Sequence, residues 1–216
     1  MFTEDRKMNR ESVWRSIDEE RAALADELES LDAAQWASPS LCTGLSVREV
    51  LAHMTVSGTV SAGRWFLGVL RARFDFDKQV VDRLREQLGS SPSETLDHFR
   101  MTVGSRTSPP LPALALLGEM VVHGEDIRRP LGLERDYPQS TLDALVRYYA
   151  GTDQVVIAKR RIEGLRLEAV DSDVRVGRGE LVRGSSLALI MAMTGRGAYC
   201  AELSGSGASV LAQRAS

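Results

Sequence analysis

Apolar residues recur at three- and four-residue steps near the start of the chain. Trp14, Ile17, Leu24, Leu28 and Leu31 follow this spacing, with Arg21 on the same stripe. The pattern predicts an amphipathic helix over roughly residues 10–32. The segment WASPSLCTGL, rich in turn residues, reads as a loop. A second helix opens where Ser46 and Glu49 form a capping box. Its core face is Val47, Val50, Leu51, Met54, Gly58 and Ser61, with His53 on the flank, and it is expected to continue through Trp65 to Leu70. Val80, Val81, Leu84 and Leu88 pattern a third helix, which GSSPSE interrupts. Ser91, Pro92 and Glu94 supply N-cap, first-turn proline and capping-box acid for its second piece, whose apolar side is Leu96, Phe99 and Val103. A fourth helix is expected from Ser108–Pro109 to Arg129, where Pro130 stops it. Arg128 and Arg129 fall in its last turn, favoured there by the helix dipole. Four helices with short connections imply an antiparallel bundle.

Beyond PLGLERDYPQS the period changes. Thr141 to Arg160 reads as helical, with Leu142, Leu145, Val146 and Tyr149 on one side. From Gly164 the period drops to two, with Leu165, Leu167 and Ala169 alternating against polar neighbours. DVRVGRGELVRG, punctuated by Gly177, Gly179 and Gly184, reads as short strands and a hairpin. A short apolar helix over Ser185–Thr194 and a Gly/Ser-rich turn lead to Ser209–Leu211. The fold class is therefore α+β, mainly α. A helical bundle spans residues 1–135, and a linking helix with a small α/β domain spans 136–216.

Composition narrows the function classes. With 26% charged and 43% hydrophobic residues over 216 positions, the chain is an ordinary globular protein. A net charge of −3 gives no electrostatic footprint for nucleic acid or an anionic membrane. No apolar run is long enough to span a bilayer, and MFTEDRKMNRES has no signal-peptide core, so the expected location is cytoplasmic. Cys42 and Cys200, far apart in unlike contexts, suggest neither a disulfide framework nor a cysteine metal site. Lysine occurs only at Lys7, Lys78 and Lys159, leaving 27 − 3 = 24 arginines, a skew expected of a GC-rich genome.

The candidate chemistry lies in LPALALLGEMVVHGEDI. Glu119 and His123 are four apart, hence on one helical face, in a stretch apolar nearly all round. A carboxylate buried there costs several kcal/mol unless paired or metal-bound. His53 on the second helix could converge with them, since bundle sites are built from facing helices. Two imidazoles and one carboxylate suit a divalent metal with open positions: Zn²⁺, or Fe²⁺, Ni²⁺ or Mn²⁺. The same spacing also arises without a metal, because flank histidines often hydrogen-bond in a core. Asp126, one turn beyond His123, fits either an orienting partner of that histidine or a salt bridge to Arg129. His98 falls beside charged residues and reads as solvated. Cys42 has no histidine near it in sequence and reads as an ordinary loop cysteine. The chain carries no H-E-x-x-H, no phosphate-cradling glycine loop and no G-x-S-x-G elbow.

WASPSLCTGLSVREVLAHM resembles the first motif of the mycothiol-dependent maleylpyruvate isomerase family, a branch of the DinB-like four-helix metalloproteins. GEMVVHGEDIRRPLG resembles its second metal motif, and LRLEAVDSDVRVGRGELVRGSSLALIMAMTGR its small C-terminal domain. Leu45 departs from the family, which usually has tryptophan there. The resemblance implies a DinB-like bundle holding a divalent metal, usually zinc, on His53, Glu119 and His123. It implies mycothiol, a low-molecular-weight thiol, as co-substrate, a small electrophile as substrate, and Arg196 as a catalytic arginine. The expected activity is thiol-dependent isomerisation or S-transfer. The rival readings are a non-catalytic metal- or thiol-binding regulator and a metal-assisted hydrolase.

Overall fold

In a computed structural model the chain divides into two compact units, Glu11–Arg135 and Asp136–Ser216, the latter also taking in residues up to Arg10. The structure describes residues 8–59, 84 and 86–215. Ser61, Trp65 to Leu70, Val80 and Val81, on which parts of the second and third helices were expected, lie outside the described residues.

In the first unit, α1 spans Arg10–Leu28, shorter than its periodicity suggested. It buries Trp14, Ile17, Arg21, Leu24 and Leu28. The expected loop then begins with a short helix, α2 (Ala33–Ala37). Asp32 starts α2 by accepting the N–H groups of Ala34 and Gln35 at 2.8 Å each, while its own N–H donates to Oε1 of Gln35 at 2.9 Å. That capping box, D-A-A-Q, uses aspartate and glutamine in place of the serine and glutamate found at Ser46 and Glu49. Helix α3 (Val47–Thr59) opens as expected: the Glu49 carboxylate accepts from the N–H and hydroxyl of Ser46 at 2.8 and 2.7 Å.

Helix α4 (Pro92–Arg100) has Ser91 as N-cap, its hydroxyl accepting the Glu94 N–H at 3.2 Å. Glu94 reaches one residue further back than expected, to the N–H and hydroxyl of Ser90, both at 2.6 Å. Helix α5 (Ala113–Leu131) begins later than the sequence suggested. Residues preceding proline are pushed out of the α region, and Pro110 and Pro112 impose this on Pro109 and Leu111. Pro130 does not stop α5. It sits in the last turn, and the helix ends at Gly132, whose φ of 67° is left-handed, with the Leu133 N–H donating to Arg128 at 3.0 Å.

Helix α3 packs against both α4 and α5, and its buried Val47, Val50, Leu51 and Met54 face that core. Polar pairs tie α1 to the segment around α5: Glu20 to Arg135 at 3.0 Å and Glu27 to Arg128 at 2.6 Å.

In the second unit, α6 (Gln139–Gly151) stops nine residues before Arg160. Side chains there compete for the backbone: Thr152 Oγ1 accepts the Gln154 N–H at 3.0 Å and Asp153 the Arg160 N–H at 3.1 Å. A 3₁₀ turn, Arg160–Ile162, leads into β1 (Leu165–Ala169). Strands β2 (Arg175–Gly177) and β3 (Glu180–Gly184) were expected to pair as a hairpin. Instead β1 is central, antiparallel to β2 and parallel to β3. The chain must therefore cross the start of β1 within two residues. Glycine permits this: a Cβ at Gly177 would stand 2.3 Å from the Leu165 oxygen, and one at Gly179 would stand 1.9 Å from the Gly164 oxygen. The apolar helix α7 (Ser186–Met193) follows, capped by Ser185, and α8 (Ala208–Arg214) closes the described chain.

Candidate metal centre

His53 and Ser57 lie one turn apart on α3, and Glu119 and His123 one turn apart on α5, the helix packed against it. The i, i+4 spacing aims each pair along one face. Across the two helices, Nε2 of His53 is 4.0 Å from Oε1 of Glu119. The rings of His53 and His123 meet edge to face, with centroids 5.0 Å apart and planes at 81°. The Ser57 hydroxyl donates to that same Glu119 oxygen and fixes its rotamer. The His53 side chain is 32% exposed and Glu119 16%, so the cluster has one side toward solvent.

Asp126 is fully buried, with Oδ2 2.8 Å from Nδ1 of His123. An ionised carboxylate only accepts, so Nδ1 of the ring is the donor in this contact, and Nε2 is the nitrogen that would face a metal. This contact is the one expected of a partner that orients His123. His98 lies apart from this cluster. Its Nδ1 is 3.0 Å from the Gln87 carbonyl, so it is a tethered, half-buried histidine rather than a freely solvated one.

These donors fit a divalent ion. Two neutral imidazoles and a carboxylate form a three-ligand set with positions left for a small molecule. Metal–ligand bonds of about 2.0–2.1 Å in tetrahedral geometry put ligand atoms about 3.3 Å apart. The 4.0 Å between His53 and Glu119 approaches that. The described group whose ligand atoms all lie within 4.8 Å of one another is Cys42, His123 and Asp126, so side chains of the proposed set must rotate to close on an ion.

Sequence reasoning missed Cys42. Its sulfur, a His123 ring nitrogen and an Asp126 oxygen all lie within 4.8 Å of one another. The cause is Pro130. Proline has no N–H, so the Asp126 carbonyl four residues earlier loses its helical donor. That carbonyl accepts the Leu41 N–H at 3.0 Å, docking the loop onto α5. Ser40 shapes the docked loop: its hydroxyl accepts the Cys42 N–H at 3.1 Å and donates to the Leu45 carbonyl at 2.7 Å. Pro130 at i+4 from Asp126 is the signal for this contact in the sequence.

Arg196 belongs to the second unit. Helix α7 ends in a Schellman motif: the Gly195 N–H donates to Ala192 at 3.1 Å and the Arg196 N–H to Met191 at 2.8 Å. Gly195 has φ 95°, and the chain leaves the helix axis there. The Arg196 side chain turns back so that Nη1 donates to the Thr194 carbonyl at 2.8 Å.

Residues 17–96 match the family described as mycothiol maleylpyruvate isomerase N-terminal domain. Over 96% of its length the chain has the fold of two solved structures, a mycothiol-dependent maleylpyruvate isomerase and a histidine-to-alanine mutant of one. Each gives a TM-score of 0.65 and is itself covered over 97%, at 16% and 15% identity respectively. No curated protein matches the chain. The family match reaches His53 but stops short of Glu119 and His123, so the ligand set rests on geometry.

Proposed function

We propose that this protein is a mycothiol-dependent isomerase acting on a small electrophile at a divalent metal held by His53, Glu119 and His123. The observation that carries the reading is the approach of His53 on α3 to Glu119 and to the His123 ring on α5, with Asp126 against Nδ1 of His123. The fold and the N-terminal family match support it.

When bound, the metal supplies the positive charge that holds a thiol as thiolate near neutral pH. The chain's own residues do the rest. His53 and His123 present neutral ring nitrogens, Ser57 holds the Glu119 carboxylate, and Asp126 keeps the proton on Nδ1 of His123. The thiolate sulfur adds to one carbon of a cis double bond conjugated to a carbonyl, and the displaced electron pair moves to the carbonyl oxygen. Rotation about the new single bond follows. The pair then returns and expels the thiolate, leaving the trans isomer, with no net change of atoms or electrons. Arg196 is the residue proposed to hold a carboxylate or the enolate charge. S-transfer would share the addition but not the expulsion.

The deciding experiment combines elemental analysis of the purified protein with assay of a cis-enoyl carboxylate in the presence and absence of mycothiol. Metal together with strictly thiol-dependent cis–trans conversion supports the reading. Turnover that ignores the thiol would hand the site to hydrolysis.

A further inference from the structure

Arg21 stands on the apolar stripe of α1 and is 0% exposed. Its Nη1 donates to the carbonyls of Thr102 at 2.8 Å and Ser105 at 3.3 Å. Its Nε and Nη2, both closed off from solvent, have no hydrogen-bond partner among the described residues. The acids that act on it do so at longer range: Asp18 and Glu119. Asp18 is already committed, accepting the Gly104 N–H at 3.0 Å and pairing with Arg106 at 2.7 Å. Glu119 is the candidate metal ligand.

Gly58 shows where the guanidinium lies. A Cβ there would come 3.1 Å from Nη2 of Arg21 and 2.6 Å from Cβ of Thr102. Gly58 follows Ser57, which holds the Glu119 carboxylate. The guanidinium therefore rests against the α3 backbone directly behind the Ser57–Glu119 pair. A glycine inside a helix costs about 0.5–1 kcal/mol relative to alanine, and here it makes room for that cation. Burial opposes the charged form of Arg21 more than the neighbouring carboxylates favour it. The bonds from Nη1 to Thr102 and Ser105 account for one end of the guanidinium, but not for the burial of Nε and Nη2.

We infer that Arg21 determines specificity at this centre: its buried positive charge, with no carboxylate at contact distance among the described residues, favours small ligands carrying a carboxylate over their neutral counterparts. It acts through its field rather than by touching the ligand. At an effective dielectric near 20, a unit charge within about 10 Å changes anion affinity about tenfold or more. The inference rests on the proposed reading of the centre as a ligand site.

The test is calorimetric titration of zinc-loaded protein with malonate and with neutral malonamide, for wild type, Arg21→Met and Arg21→Lys. Arg21→Met should bind malonate at least about tenfold more weakly, with malonamide affinity and zinc content unchanged. Arg21→Lys should retain malonate binding. Unchanged malonate affinity in Arg21→Met, equal weakening of both ligands, or no malonate binding by wild type overturns the inference. If Arg21→Met does not fold, Arg21→Gln is judged by the same ligand criteria. Metal-free protein that binds malonate with the same Arg21 dependence would sustain the inference even if the zinc reading failed.

Discussion

Leu41 donates its backbone N–H to the carbonyl of Asp126 at 3.0 Å, and Pro130 is what leaves that carbonyl open to it. One proline thereby docks the loop that brings Cys42 to His123 and Asp126. Pro130→Ala restores a competing intrahelical donor. Hydrogen exchange should then show lower protection at the Leu41 amide and faster alkylation of Cys42, with helix content unchanged or higher. Equal protection in both proteins would mean the docking needs no vacant carbonyl.

Metal content separates the histidines. His123→Ala should bring bound metal from one ion per chain to background, whereas His98→Ala, whose ring is tied to Gln87, should leave it unchanged. Elemental analysis after gel filtration checks both. Because neutral imidazoles and an ionised carboxylate bind the ion, acid should also release it.

Asp126→Ala should weaken metal affinity about 10- to 100-fold while leaving the three ligands in place, the usual cost of losing a partner that orients a ligating histidine. Competition against a coloured chelator measures it. Wild-type affinity would show that the 2.8 Å contact to His123 carries no such role.

Two sulfur sources are distinguishable. Cobalt-substituted protein should gain a sulfur-to-metal charge-transfer band on addition of mycothiol, and Cys42→Ser should keep that band. A band present before thiol is added, and lost in Cys42→Ser, would make Cys42 the sulfur donor instead.

The Ser46–Glu49 box gives a pH signature. Hydrogen bonds from the Ser46 hydroxyl and N–H hold the Glu49 carboxyl below its ordinary value. A depressed folded-state pKa stabilises above the unfolded pKa, and that contribution is lost as pH falls through the folded one. Ser46→Ala should therefore cost about 1 kcal/mol near neutral pH, and the gap to wild type should narrow below about pH 4. Chemical denaturation at the two pH values checks the sign.

Arg196→Ala should lower turnover strongly while metal content and melting temperature barely move. Its backbone N–H, not its side chain, completes the Schellman motif of α7, so alanine keeps that turn. Loss of both activity and stability would instead mark Arg196 as a helix-end support.

The sequence by itself determined the elements whose causes are local. Side-chain spacing wrote α1, α3 and α7; Ser46 with Glu49 and Ser91 with Pro92 wrote the helix starts; and the i, i+4 step put Glu119 and His123 on one face. His53 was legible as a candidate partner on the flank of the second helix's core face. Tertiary structure decided the rest. Whether β2 and β3 pair with each other or with β1 depends on how closely Gly177 and Gly179 pass over Leu165 and Gly164, a contact between distant backbones that no short window contains. Whether Cys42 meets His123 depends on a carbonyl left open by Pro130, 88 positions along the chain from the cysteine, 130 − 42. Arg21 was visible as a charge on an apolar stripe, but only packing against Gly58 and Thr102 showed that two of its nitrogens are shut away from water with no partner. Periodicity records what a residue does to its own helix; which buried groups meet across helices is fixed when the chain closes on itself.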